Sequence, residues 1–124
     1  MMSISDEYMQ EMVASMQGYT AVVLRKGPAY RIPDQYTVLW EHARRNFQLR
    51  DSGQLILVFP INDGTETAGI GIFNVDVEQT RLLMDEDPAI KEKILTYEVH
   101  PSRSFPGDGL PFTDKQTTLD RKTQ

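Results

Sequence analysis

The segment 54–60, with the sequence QLILVFP, constrains the fold more than any other part of the chain. Its five residues from Leu55 to Phe59 are all apolar, with no alternation between apolar and polar positions. Because neighbouring side chains of a strand point to opposite faces, such a run predicts a strand that is covered on both sides. The fold must therefore place apolar groups against both faces of the sheet at this strand.

The residues before this strand predict an amphipathic helix. Asp34 is a typical N-cap residue, and Gly53 has the identity favoured just after the last helical turn. Between them, apolar residues recur at helical spacing: Tyr36, Leu39, Trp40, Ala43 and Phe47. We expect this stripe to pack on the sheet, and His42, which lies beside the stripe, to reach the rim of a cleft next to the sheet.

The residues after the apolar strand predict a hairpin. The tripeptide 62–64, Asn-Asp-Gly, is a turn signal, so the strand should pair antiparallel with a further strand over 67–75. Gly69 and Gly71 share one face of that second strand. Because glycine has no side chain, we expect another group to approach this face closely.

Local signals also predict the last helical segments and the last strand. Asp76 has the identity of an N-cap residue and should begin a second long helix. Asp87-Pro88 interrupts that helix, and because proline suits the first helical position after a capping Asp, a short turn is expected over 88–93. The alternation of apolar and polar residues over 95–100 predicts the final strand.

With an apolar, β-branched strand at 19–24, the elements follow the order β-α-β-β-α-β. This order predicts an α+β fold of the ferredoxin-like type, with a four-stranded antiparallel sheet and both helices on one face. The second face of that sheet would be bare, although the strand over 54–60 is apolar on both sides. We therefore expect a second copy of the chain to pack sheet to sheet, giving a homodimer.

The two ends of the chain fall outside this pattern. Residues 1–17 predict an extra helix or arm with a soft, methionine-rich apolar face. Residues 102–124, rich in proline and glycine and then in polar residues, predict a C-terminal arm that is extended at first and disordered at its end. The domain itself is expected to span 18–101.

Composition excludes several classes of function. A net charge of −5 argues against nucleic-acid binding, which favours a basic surface. The absence of cysteine excludes disulfides, thiol catalysis and thiolate metal sites. The chain has no apolar run of membrane-spanning length and no signal-peptide pattern at its start, so we expect a cytoplasmic protein without a membrane partner. No motif indicates a cofactor or a metal.

The sequence resembles the YCII-related family, whose fold is the dimeric α+β barrel. The similar features span residues 19–101 and keep the family's order: a helix carrying His42, Asp51-Ser52-Gly53-Gln54-Leu55, an apolar strand ending in Pro60, Gly69-Ile70-Gly71-Ile72-Phe73, Asp87-Pro88-Ala89 and Val99-His100-Pro101. One departure is Phe59-Pro60, where the family often has Gly-Pro. The resemblance implies a dimeric barrel built from two copies of this chain.

His42 and Asp87 are the candidate catalytic residues. A histidine gives or takes a proton near neutral pH, and a carboxylate beside an imidazole fixes its tautomer. The family resemblance implies that these two form an active-site pair. Each residue also has a purely structural explanation, His42 as a helix-surface residue and Asp87 as an N-cap. His100 could line a pocket, but a solvated strand edge suits it better.

Two classes of function remain open from the sequence. The first is a cofactor-independent acid–base enzyme of the lyase, isomerase or dehalogenase type, acting on a small organic molecule through His42 and Asp87. The second is a non-catalytic module that binds a small ligand or a protein partner as a homodimer. An oxygen-using monooxygenase on the same barrel is a third reading, for which the sequence has no distinctive motif.

Overall fold

The computed structural model describes residues 1–112 of the chain. Their elements are α1 (Asp6–Ala14), β1 (Gln17–Lys26), α2 (Gln35–Asp51), β2 (Leu55–Pro60), β3 (Thr67–Phe73), α3 (Val77–Asp85), α4 (Pro88–Lys91) and β4 (Leu95–Ser104). The four strands form one antiparallel sheet in the order β2-β3-β1-β4. This topology confirms the predicted ferredoxin-like α+β fold.

The helices that follow β1 cover one face of the sheet, here called the inner face. Val22, Leu55 and Phe73 point from three strands into a core that also contains Leu49 of α2 and Met84 of α3. A second, smaller core joins α4 to the start of β4. The inner face therefore buries the apolar side chains that hold the helices in place.

The opposite, outer face of the sheet also has an apolar centre. Strand register places six residues there, half-buried or partly exposed: Ala21, Val23, Leu57, Phe59, Ile70 and Ile72. β2 is an edge strand, so its apolar run is fully buried only at Leu55. The expectation that a second copy of the chain packs on this outer face stays a prediction.

Two strands are longer than the sequence predicted. β1 begins at Gln17 and ends at Lys26, and β4 continues past His100 to Ser104. The reason is that the first residues of β1 pair with the last residues of β4, from Gln17 with Ser104 to Ala21 with His100. The first three residues of the predicted C-terminal arm are thus part of the sheet. The end of that arm, for which disorder was predicted, includes residues 113–124, which lie outside the described residues.

The ends of the helices follow the sequence signals with one exception. Gly53 has a φ of 83° and ends α2, as predicted. Asp76 caps α3, where its Oδ1 accepts a hydrogen bond from the Gln79 N–H at 2.8 Å. Asp34 precedes α2 but makes no side-chain capping bond. Within residues 1–112, no helix is long and apolar enough to cross a membrane.

The orientation of α2 differs from the sequence prediction. Tyr36, Trp40 and Phe47 of the predicted packing stripe are mostly exposed. The helix instead turns His42 and Leu49 towards the rest of the fold, so that the buried face lies to one side of the predicted stripe. The prediction was wrong for these three aromatic residues, whereas Leu39 and Ala43 of the stripe are half-buried, and Leu39 packs against the second core. The polar contact of His42 favours the orientation in which the aromatic residues lie outward.

Gly27 allows the loop after β1 to approach the turn before β4. Its N–H donates to the carbonyl oxygen of Ile94 at 2.7 Å. A Cβ at this position would lie 2.4 Å from the carbonyl oxygen of Lys93, which is backbone and has little freedom to move. Close backbone packing at Gly27 therefore excludes any larger residue.

We expect Gly27→Ala to lower the free energy of unfolding by about 1–3 kcal/mol, because the added methyl group overlaps a backbone carbonyl. Urea denaturation measures this change. Gly18→Ala is the matched control, since a Cβ there meets nothing within 4 Å and the residue lies near the other end of β1. The control should shift the unfolding free energy by less than about 1 kcal/mol. Equal losses in the two variants would contradict the steric explanation.

Candidate functional site

Asp87 is a buried carboxylate at the start of α4. It is the N-cap residue of that helix, and its Oδ1 accepts a hydrogen bond from the Ala89 N–H at 2.8 Å. Pro88 occupies the first helical position, which suits its fixed φ and its missing N–H. Only 1% of the Asp87 side chain is exposed. The capping bond fixes the orientation of the carboxylate and leaves Oδ2 available for a second partner.

That second partner is His42, from the middle of α2. The Nδ1 atom of His42 lies 2.7 Å from Oδ2 of Asp87. Because an ionised carboxylate can only accept, Nδ1 carries the proton and donates it to this bond. In the neutral ring, Nε2 then carries the lone pair and is the hydrogen-bond acceptor. The structure therefore brings the two sequence-predicted residues into direct contact.

Arg45 adds a positive charge to this pair and was not predicted from the sequence. Its Nη1 atom lies 3.8 Å from Oδ2 of Asp87 and, within residues 1–112, that buried nitrogen has no hydrogen-bond partner. A cation at this distance interacts favourably with the carboxylate. The available signal was its spacing, because residues three apart share one face of a helix and Arg45 is three residues after His42.

Asn46 contacts the other nitrogen of the imidazole. Its side-chain nitrogen lies 3.4 Å from Nε2 of His42, one helical turn along α2. Residues four apart in a helix are neighbours, so this contact follows from local geometry. The distance describes a weak interaction, and it leaves Nε2 able to accept a proton from another group.

A cavity of about 400 Å³ lies between α2 and the inner face of the sheet. His42 and Asn46 are in its wall, together with apolar residues that include Leu39, Val58 and Phe73. This volume is within the range of small-molecule binding sites, and an apolar lining with few polar groups is typical of them. The imidazole of His42 thus connects a buried carboxylate to a cavity of ligand size.

Gly69 and Gly71 create part of this space. Both line the cavity from β3, on the face of the sheet that is turned towards α2. A Cβ on Gly71 would lie 3.5 Å from the Phe73 ring and 3.6 Å from a Leu55 methyl group, in ordinary contact with both. The predicted open glycine face is therefore an inner surface of the cavity.

The second histidine does not join this site. His100 belongs to the outer-face residues of β4, its side chain is 57% exposed, and its Nε2 lies 3.3 Å from a carboxylate oxygen of Glu98. It is a solvated residue of an edge strand, the placement that suited it better from the sequence. In the part of the chain that the structure describes, no three His, Asp or Glu side chains are grouped as metal ligands.

Comparison with known proteins does not identify an activity for this chain. No protein-family model and no curated protein matches the chain. A 5-chloro-2-hydroxyhydroquinone dehydrochlorinase from Burkholderia phenoliruptrix AC1100, solved with 2,5-dihydroxybenzoquinone, is similar at 15% identity and a TM-score of 0.44, over 65% of this chain and 90% of that chain. Protein Atu4242 from Agrobacterium tumefaciens is similar at 13% identity and a TM-score of 0.39, over 77% and 99%. Similarities this low carry no information about activity, and the resemblance to the YCII-related family stays a prediction.

Proposed function

We propose that this protein is an enzyme that transfers a proton on a small organic molecule without a cofactor. His42 is the acid–base group and Asp87 is the residue that positions it. The proposal rests on one observation above all, the 2.7 Å contact between His42 Nδ1 and Asp87 Oδ2 at the wall of an apolar cavity. The proposed chemistry is of the lyase, isomerase or dehalogenase type. The proposal includes membership of the chain in the YCII-related family.

The two ring nitrogens have separate tasks in this proposal. Nε2 takes a proton from a carbon atom of the bound molecule and the ring becomes an imidazolium. The carboxylate of Asp87 stabilises that positive charge through the Nδ1–H bond. In an isomerase the imidazolium returns the proton to another atom of the same molecule. In an eliminating enzyme the electron pair of the C–H bond forms a double bond and expels the leaving group.

Arg45 and the capping bond support Asp87 in this role. Before proton transfer the imidazole is neutral, and the carboxylate then has Arg45 at 3.8 Å as its cationic neighbour. A buried carboxylate is stable only with partners, and the Arg45 guanidinium and the Ala89 N–H are two of them. The proposed base therefore has a charged partner throughout the reaction.

The tautomer of His42 is the first test of this arrangement. In Asp87→Asn the side-chain oxygen must still accept from the Ala89 N–H, because asparagine also caps helices well. The new NH₂ group would then face Nδ1 and donate to it. We expect the neutral ring to change from the Nδ1–H to the Nε2–H tautomer, as ring ¹⁵N chemical shifts in a long-range ¹H–¹⁵N NMR spectrum report.

Asp85→Asn is the control for this test, because it removes the same charge from an exposed residue at the end of α3. It should leave the tautomer of His42 unchanged. A wild-type ring in the Nε2–H form, or the same tautomer in Asp87→Asn as in the wild type, would disprove the proposed positioning.

Carbon-proton abstraction is the second test, and 5-nitrobenzisoxazole serves as a probe that needs no knowledge of the natural substrate. A base removes its ring C–H proton, the N–O bond breaks, and the coloured nitrophenolate product is followed by absorbance. We expect saturable turnover by the wild type and a loss of at least about 100-fold in His42→Ala. His100→Ala is the matched control and should retain the wild-type rate.

Equal rates for the wild type and His42→Ala would remove His42 as a base. If the probe binds to both proteins with equal affinity and neither turns it over, the result favours the second function, a non-catalytic ligand-binding module. Binding is measured separately, by the change in intrinsic tryptophan fluorescence of Trp40 on α2 or by calorimetry.

We propose in addition that the protein is a homodimer in which two sheets pack outer face to outer face, as in a dimeric α+β barrel. The support is the apolar centre of the outer face, where Ile72 lies opposite Ala21 on one neighbouring strand and Leu57 on the other. A polar outer face would be expected if this side of the sheet met only water.

Light scattering tests the dimer. We expect a mass of twice the 14.2 kDa of one chain for the wild type. Ile72→Lys should reduce it to the mass of one chain, because the substitution places a charge in the centre of the apolar patch. Glu78→Lys, on the exposed side of α3, is the control and should keep the wild-type mass. A monomeric wild type would refute the sheet-to-sheet arrangement.

A further inference from the structure

We propose that the cavity binds a small organic acid, with one anionic oxygen group on a single ring or short carbon chain, and that Lys26 selects it through that group. This inference rests on the proposed function, since it treats the cavity beside His42 as the substrate site. It goes further by naming the chemical class of the substrate and the residue that distinguishes this class from neutral molecules.

The charge of the cavity is opposite to the charge of the protein. The chain has 18 acidic and 13 strongly basic residues and a net charge of −5. The cavity lining nevertheless contains Lys26 and Arg50 and neither an aspartate nor a glutamate. A cationic cavity in an acidic protein favours an anionic ligand, because the surrounding low-dielectric walls strengthen the local attraction.

The two cavity cations are also without carboxylate partners. In residues 1–112, salt bridges are made by Arg25, Arg44, Arg45 and Lys91, whereas Lys26 and Arg50 take part in none. Both instead lie over aromatic rings, Lys26 Nζ at 5.3 Å from the ring centre of Tyr30 and the Arg50 guanidinium at 5.4 Å from that of Phe47. Their positive charges are therefore available to a ligand.

Lys26 is the better placed of the two. It is half-buried at the end of β1 and shares the cavity wall with Tyr30, whose hydroxyl is a second donor type for an anionic oxygen. Arg50 is exposed near the end of α2. A half-buried cation interacts more strongly with an anion than an exposed one, since less solvent screens the charge.

Asp63 is a carboxylate that interacts electrostatically with Lys26, but its hydrogen bonds are made to Thr65. Its Oδ1 accepts from the N–H and the hydroxyl of Thr65, at 3.0 and 2.7 Å. These bonds hold the pKa of Asp63 below its usual value, and the charge of Lys26 adds only a minor contribution. Asp63 thus stabilises its own turn and leaves Lys26 without an ion-pair partner.

The shape of the cavity defines the rest of the ligand. The glycine surface of Gly69 and Gly71 and the surrounding apolar side chains suit a flat or short carbon skeleton. The anion would lie towards Lys26 and the skeleton over the glycines, with a carbon-bound hydrogen towards His42. Negative charge that develops when His42 removes this proton would be stabilised by the same ammonium group.

The test compares benzoate with benzamide, two probes of nearly the same shape that differ in charge. Binding is followed by titration in ¹H–¹⁵N NMR spectra, with the amides of Gly69 and Gly71 as cavity reporters and the amide of Gly18 as an internal reference. We expect wild-type protein to bind benzoate about tenfold more tightly than benzamide, as expected for one charge-assisted hydrogen bond. Lys26→Met should bind the two probes equally.

Lys91→Met is the matched control, because it removes the same charge from an exposed lysine that pairs with Glu86 on the protein surface. It should keep the tenfold preference. Equal binding of both probes by the wild type, or no shift of the glycine amides with benzoate, would overturn the inference. A preference that persists in Lys26→Met would overturn the assignment to Lys26.

The same titration separates this inference from the proposed catalytic role. His42→Ala should still prefer benzoate, because the anionic group is held by Lys26 of β1 and not by His42 of α2. If that variant and the wild type bind benzoate alike and neither abstracts a proton from carbon, the acid-binding site stands and the catalytic proposal fails. Loss of the preference in Lys26→Met, together with proton abstraction by the wild type that His42→Ala loses, would support both.

Discussion

The two hydrogen bonds of the buried Asp87 carboxylate are the interactions on which the rest of the structure depends. One oxygen caps α4 through the Ala89 N–H, and the other receives the imidazole of His42 from α2. A fully buried carboxylate is stable only when its oxygens are paired, so both helices are held at fixed positions around it. The same bonds explain why α2 rotates its aromatic residues outward: turning Trp40 inward would withdraw His42 and Arg45 from the carboxylate. A polar contact thus sets the orientation of an otherwise amphipathic helix.

Much of the fold could be predicted because its signals are local. The glycine at the end of α2, the capping Asp76, the Asp-Pro step and the alternation in β4 each specify a nearby piece of backbone. The predictions failed where the deciding partner is distant in sequence. His42 and Asp87 are 45 residues apart, so no local pattern shows that their contact outweighs the burial of Tyr36 and Trp40. The predicted ends of β1 and β4 were wrong for the same reason. Each of these strands continues as far as the other offers backbone N–H and C=O groups to pair with.

The candidate site was predictable in part. His42 and Asp87 were identified from the sequence and the family resemblance, and the structure places them in contact, although their catalytic role remains a proposal. Arg45 and Asn46 were missed, yet they follow once the inward direction of His42 is known, because residues three and four further along lie on the same helix face. The cavity itself depends on the two positions of β3 that have no side chain, Gly69 and Gly71. Only the packing of α2 over Gly69 and Gly71 converts two missing side chains into a space of ligand size.

Helix geometry also makes the two nitrogens of His42 chemically different. Arg45 accompanies Nδ1 on the side of the buried carboxylate, while Asn46 accompanies Nε2 on the side of the cavity. Positive charge on the ring would therefore be compensated from within the protein, while Nε2 lies beside Asn46, which lines the cavity together with His42. The cavity adds cations and no carboxylate of its own, so the negative charge that balances an imidazolium is confined to the buried side. In the proposed function, this separation would let a single histidine receive a proton from an anionic molecule without a second acidic group competing for it inside the cavity.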